Sequence, residues 1–222
     1  MRGKKIAVIG LGTLGRNLAL QLAKIGSEVI AIDSDMERID EIKDRVTVAV
    51  CMNSTNERAL RSQNLSMVDR AVVCIGDNLQ ANILTVVLLK KIGVRHIIAR
   101  ISSDLERDIL REIGAHELVF PEEKMARDLA VRLSSDTILE LIPLTPRMTA
   151  VRMKPPASFL GKTLAELGVR TNYRVNVVAI QKVNQDGEQE EVIPFPDVKI
   201  TDQQLLLIVG NANDIKKLAR VK

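Results

Sequence analysis

The sequence predicts an α/β fold: a Rossmann-like doubly wound parallel sheet over residues 1–135, then a small α+β domain over residues 136–222. Three observations predict it. Apolar runs alternate with helix-like patterns through the first part of the chain. Those runs are continuous rather than alternating, as in parallel strands covered on both faces. The first run also leads straight into Gly10-Leu11-Gly12-Thr13-Leu14-Gly15, and the second closes on Asp33, 18 residues after Gly15.

Taken in order, residues 4–9 read as a strand and 13–25 as a helix stopped by Gly26. Residues 28–33 form the second strand and 36–43 a helix. A third strand spans 46–51, a short helix 55–62, and a fourth strand 71–75. Residues 78–92 make a longer apolar helix ended by Gly93. Strand 97–101, helix 103–112 and strand 117–120 follow. Pro121 then opens a helix to about Leu133, at the position where a missing N–H costs nothing. Ser134-Ser135-Asp136 marks the boundary. Beyond it the segments 138–144 and 149–153 flank Pro143 and Pro146, and a short helix covers 163–167. Strands 176–181 and 190–193 are joined by Asn184-Gln185-Asp186-Gly187 as a hairpin. Residues 205–209 are a strongly apolar strand, and 213–218 a helix.

The glycine turn fixes a ligand class. Gly10 permits the tight strand-to-helix turn, Gly12 lets backbone approach a phosphate, and Gly15 lets the helix pack on the strand. The helix start then offers free N–H groups to phosphates. Asp33 can accept hydrogen bonds from both ribose hydroxyls and repels a 2′-phosphate. Composition narrows the field further. The net charge of +4 is divided evenly between residues 1–135 and 136–222, so there is no basic arm. Only 2% of residues are aromatic, too few for a base-stacking platform, so nucleic acid is not the expected partner. Cys51 and Cys74 lie inside apolar runs and are expected to be buried, reduced thiols of a cytosolic protein. The N-terminal run reads as a strand rather than a signal peptide, and no apolar stretch reaches the ~18 residues of a membrane span.

The whole chain resembles the cytosolic regulatory subunits of bacterial potassium-uptake systems of the KtrA and TrkA type, built from an RCK_N and an RCK_C domain. The carriers are residues 7–15, Ile30-Ala31-Ile32-Asp33, Ile75-Gly76-Asp77-Asn78-Leu79-Gln80-Ala81-Asn82 and Phe120-Pro121-Glu122-Glu123-Lys124-Met125-Ala126. In the second domain they are Leu160-Gly161-Lys162-Thr163-Leu164, Val177-Val178-Ala179-Ile180 and the segment from Pro194 to Gly210. The resemblance implies a non-enzymatic regulator that binds ATP, ADP, AMP or NAD(H). It would act as a homodimer, or an octameric ring of dimers, on the inner face of the membrane beside a potassium transporter subunit. The nucleotide contacts it implies, with those of the turn, are Gly10, Gly12, Thr13, Leu14, Gly15, Asp33, Ser34, Asn53, Ser54, Ile75, Gly76, Asp77, Asn78, Arg100 and Glu122. It also implies a divalent cation at Glu122, and cyclic di-AMP at Arg170, Asn176, Val177 and Pro194. Thr13 departs from the arginine that the KtrA branch often carries in the middle of the turn. That departure favours AMP, ADP and NAD(H) over an ATP-specific switch.

The alternative from another class is an NAD-dependent oxidoreductase with a small substrate domain. It needs an acid–base residue against the nicotinamide. His96 and His116 are the only histidines, and both read as surface or edge residues. Glu122 and Glu123 would also be favoured by the helix dipole alone, and Asp77 and Asn78 by capping alone.

Overall fold

The computed structural model describes residues 3–145, 147–183, 188–219 and 221. Two compact units emerge, Met1–Glu122 and Glu123–Lys222. They part at the start of the helix that follows residue 120, where the sequence suggests a boundary at its end.

The first unit is built around a six-stranded parallel sheet in the order β3-β2-β1-β4-β5-β6. Its strands are β1 (Lys5–Ile9), β2 (Glu28–Asp33), β3 (Val48–Cys51), β4 (Arg70–Val73), β5 (Ile97–Arg100) and β6 (Glu117–Val119). The helices between them are α1 (Thr13–Lys24), α2 (Met36–Asp40), α3 (Glu57–Ser62), α4 (Leu79–Lys91) and α5 (Asp104–Ile113). The chain reverses direction across the sheet between β1 and β4, so a crevice opens beyond their carboxyl ends. Ala7, Val8, Ile9, Ala31 and Ile32 are almost fully buried, as central strands covered on both faces must be. Two apolar clusters, one on each face, do the covering.

Where elements differ from the sequence pattern, the cause is local. β3 is shorter than expected, and only half-buried or exposed, because it is an edge strand. Cys51 at its end is exposed, which corrects the expectation that both thiols are buried. α2 stops at Asp40, and a single turn of 3-10 helix follows over Lys43–Arg45.

α6 (Pro121–Leu133) leads into the second unit. There β7 (Ile138–Pro143), β8 (Met148–Met153), β9 (Val175–Val183), β10 (Gln189–Val192) and β11 (Leu205–Asn211) form an antiparallel sheet in the order β10-β9-β11-β8-β7. α7 (Leu164–Leu167), α8 (Val169–Tyr173) and α9 (Ala212–Leu218) accompany it. Phe159, Met153, Ile200, Leu206, Ile208 and Leu218 pack the core beneath. β9 and β10 pair in register from Val183 with Gln189 to Ile180 with Val192. The turn expected at residues 184–187 lies outside the described residues, as does Pro146. α8 has no strong sequence signal. It begins after Gly168, whose φ of 53° ends α7 and restarts the chain. No helix among the described residues is long and apolar enough to cross a membrane.

Candidate functional site

The glycine turn takes its shape from two contacts. Gly10 has φ +90°, a left-handed conformation that only glycine adopts without strain. Its N–H donates to the Ile32 carbonyl at 2.8 Å, which anchors the turn to β2. Gly15 lies in the first turn of α1, and a Cβ there would collide with the Gly10 carbonyl oxygen. Gly12, by contrast, faces open space. It is the N-cap of α1 and supplies no side-chain hydrogen bond, and the first turn holds no acid. The first backbone bond of the helix runs from the Arg16 N–H to the Gly12 carbonyl at 2.9 Å. The N–H groups before it have no acceptor within the helix, and Gly12, Thr13 and Leu14 line the crevice.

Asp33 ends β2 and is buried. Its Oδ2 accepts the Leu11 N–H at 2.5 Å and its Oδ1 accepts the Asp35 N–H at 2.9 Å. A carboxylate offers about four acceptor sites, so both oxygens keep capacity for ribose hydroxyls. Arg38 carries no motif in the sequence. Its guanidinium lies 3.5 Å from Asp33 Oδ2 and 3.5 Å from Asp35 Oδ2. The signal that could have found it is spacing: Asp35 caps α2, and Arg38 follows three residues later, one turn above the cap.

The opposite wall comes from β4, β5 and the start of α6. Asn78 caps α4, its Oδ1 accepting the Ala81 N–H at 2.9 Å. Asn82, one turn further and buried, donates through Nδ2 to the carbonyls of Ile75 at 3.2 Å and Arg100 at 2.9 Å. One amide therefore ties together the segments leaving β4 and β5. Beside it Ser54 and Thr85 share a buried hydroxyl–hydroxyl bond at 2.8 Å. Arg100 Nη2 donates to Glu122 Oε1. Cys74 lies in the same wall, and burial pushes its thiol up to about 12, so it stays neutral and inert.

These residues enclose a cleft of about 780 Å3. Gly10, Gly12, Thr13, Leu14, Asp33, Ser34, Asn53, Ser54, Ile75, Gly76, Asp77, Asn78, Arg100 and Glu122 all line it. Gly15 does not, since it packs the helix against the turn. Arg38, Asn17, Met52 and Ala81 also line the cleft, without having been anticipated. Arg16, next to the turn, points elsewhere and donates to Glu41 Oε2 at 2.7 Å.

Other candidates fall away from the cleft. His96 and His116 stack with centroids 5.1 Å apart, next to the amino ends of β5 and β6. The cleft lies beyond the carboxyl ends of the strands. His116 Nδ1 accepts the Ile97 N–H at 3.0 Å, which occupies that nitrogen structurally. Among the described residues no group of three or more His, Cys, Asp and Glu side chains is arranged to hold a metal ion. Glu122 meets Arg100 instead. In the second unit Arg170 Nε donates to Asn176 Oδ1, Val177 packs against the core, and Pro194 is half-buried between exposed Ile193 and Phe195.

The six-stranded order, the bare helix start and the acid at the end of β2 define a Rossmann-type nucleotide-binding domain joined to a small antiparallel domain. Family models agree in both parts. The TrkA-N domain matches residues 6–121 and the TrkA-C domain residues 148–222. The chain belongs to the family of Ktr and Trk potassium uptake proteins that carry these two domains. It is 33% identical over 217 residues to Ktr system potassium uptake protein C of Bacillus subtilis strain 168, covering 98% of this chain and 96% of that one. It is 30% identical, with the same coverage, to Ktr system potassium uptake protein A of that organism. Among solved structures, the GsuK channel bound to NAD is similar with a TM-score of 0.66 and 16% identity. That likeness covers 98% of this chain and only 39% of the channel, and it speaks to the fold.

Proposed function

We propose that this protein is a non-enzymatic regulatory subunit of a potassium-uptake system, gated by an adenine nucleotide bound at the Gly10–Gly15 turn. The observation that carries the reading is the cleft itself. A helix start left without a side-chain cap and a buried carboxylate at the end of β2 sit on one crevice. The first suits phosphate and the second suits ribose. Relatives at 33% and 30% identity over nearly the whole chain are Ktr potassium uptake proteins, which supports the membrane partner. A structure similar in fold was solved with NAD and another with ADP, in keeping with an adenine nucleotide.

The mechanism is population shift. A nucleotide that binds one arrangement of the assembly more tightly stabilises it, and the transporter follows. Its reach is bounded by the difference in affinity between arrangements. The working form is a homodimer or a ring of dimers on the cytosolic face of the membrane. Met125, Leu129 and Leu133, spaced four apart and exposed on α6, offer an apolar stripe for self-association. The test is calorimetric titration of the purified chain with ADP, AMP, NAD(H) and ATP. Binding of at least one is expected, and binding of none would overturn the reading.

A further inference from the structure

We propose that the cleft accepts a ligand with two linked phosphates and discriminates against a third, and that Glu122 sets this limit by holding Arg100. The inference rests on the nucleotide reading above and concerns the charge balance of the same cleft. Its ionisable lining is Asp33, Arg38, Asp77, Arg100 and Glu122, three carboxylates against two guanidiniums. Neither guanidinium stands alone. Arg38 lies between Asp33 and Asp35, and Arg100 donates to Glu122. Arg16 beside the turn is turned to Glu41. Thr13, in the middle of the turn, is neutral.

A phosphate entering this cleft therefore meets backbone N–H groups and, among the described residues, no unmatched side-chain cation. The start of α1 presents the equivalent of about half a positive charge. That suits a diphosphate bridge lying across the turn, as in a nucleoside diphosphate or a dinucleotide. A terminal third phosphate adds charge with nothing left to answer it. To reach Arg100 it must displace Glu122, whose carboxylate then stands beside it. Arg100 has little room to retreat. Its guanidinium passes over Gly76, where any Cβ would collide with Nη1, and its Nε is buried without a hydrogen-bond partner among the described residues. Asn82 meanwhile holds the Arg100 carbonyl. Glu122 follows Pro121 in the first turn of α6, so its backbone is held in helical geometry.

The experiment compares ADP, NAD and ATP by calorimetry on the full chain, in chelator, because divalent cations would mask phosphate charge. The wild-type protein is expected to bind ADP and NAD about tenfold or more tightly than ATP. Glu122→Gln should free Arg100 and bring ATP to within about threefold of ADP, by strengthening ATP rather than weakening ADP. An independent arm needs no variant. Raising salt from about 0.05 to about 0.5 M should shrink the ADP-to-ATP preference of the wild-type protein, since screening weakens the repulsion. ATP binding as tightly as ADP at low salt would overturn the proposal while leaving the nucleotide reading intact. So would a preference that neither salt nor Glu122→Gln reduces. Failure of all three ligands to bind would overturn the proposal, and failure of AMP and NADH as well would overturn the nucleotide reading with it.

Discussion

Two helices begin on the same crevice, α1 after β1 and α4 after β4, and they begin in opposite ways. α4 is closed by Asn78, whose side chain accepts the Ala81 N–H. α1 starts at Gly12, with no side-chain cap and open space where a Cβ would be. Both ends carry the same partial positive charge. One is satisfied by the protein, and the other is left for something that is not protein. A fold can thus choose which of two equivalent helix ends binds an anion by placing asparagine at one and glycine at the other.

The largest test of this contrast is to close the open end. Gly12→Asp introduces a capping carboxylate at a backbone conformation, φ −59° and ψ −173°, that aspartate adopts without strain. Nucleotide affinity should fall on the order of 100-fold through anion repulsion. Stability should hold, or rise by a few tenths of a kcal/mol, the difference between a good cap and glycine. Calorimetry and thermal unfolding read the two effects separately. A variant that still bound ADP normally would show that phosphate lies elsewhere.

Asp33→Ala comes next. It removes the acceptor for the Leu11 and Asp35 N–H groups, one of them buried, and should cost about 1.5–3 kcal/mol of stability. The wild-type protein should prefer ADP to 2′-deoxy-ADP, and the variant should lose that preference. An unchanged preference would separate Asp33 from the ribose.

Asn78→Ala sharpens the other side. Loss of the α4 cap should cost about 1 kcal/mol of stability while affinity moves less than about threefold. A collapse of binding comparable to Gly12→Asp would mean that the α4 start also serves the ligand.

The smallest effect is chemical. With its thiol at about 12, Cys74 is ionised to only about one part in ten thousand at pH 8. A thiol reagent should therefore modify exposed Cys51 alone until the protein unfolds. Rapid labelling of both in the native state would show that the wall between the two helix starts opens.

The β1–α1–β2 unit was legible because each of its constraints leaves a residue-level mark: glycine at Gly10 where φ is positive, glycine at Gly15 where a Cβ would collide, and an acid where β2 ends. The sheet's parallel character was legible in the unbroken apolar strands. The exposure of Cys51 is not legible because an edge strand and a central strand can share the same apolar run, and strand order is not written in either. Arg38, Asn17 and Met52 reach the cleft by tertiary placement of ordinary helix and loop positions, without a motif. The resemblance implies Arg100 and Glu122 but says nothing of their mutual bond. It joins residues 22 positions apart, and only folding decides whether two opposite charges meet.

The bond from Leu11 to Asp33 has a consequence for how the ligand's parts add up. It links the ribose acceptor to the phosphate turn, since the group that would hold the sugar is also a strut of the loop that would hold the phosphates. Occupying either half should order the other. Adenosine and pyrophosphate offered as separate fragments should each bind weakly but assist one another, and the intact nucleotide should bind more tightly than the product of the two fragment affinities suggests.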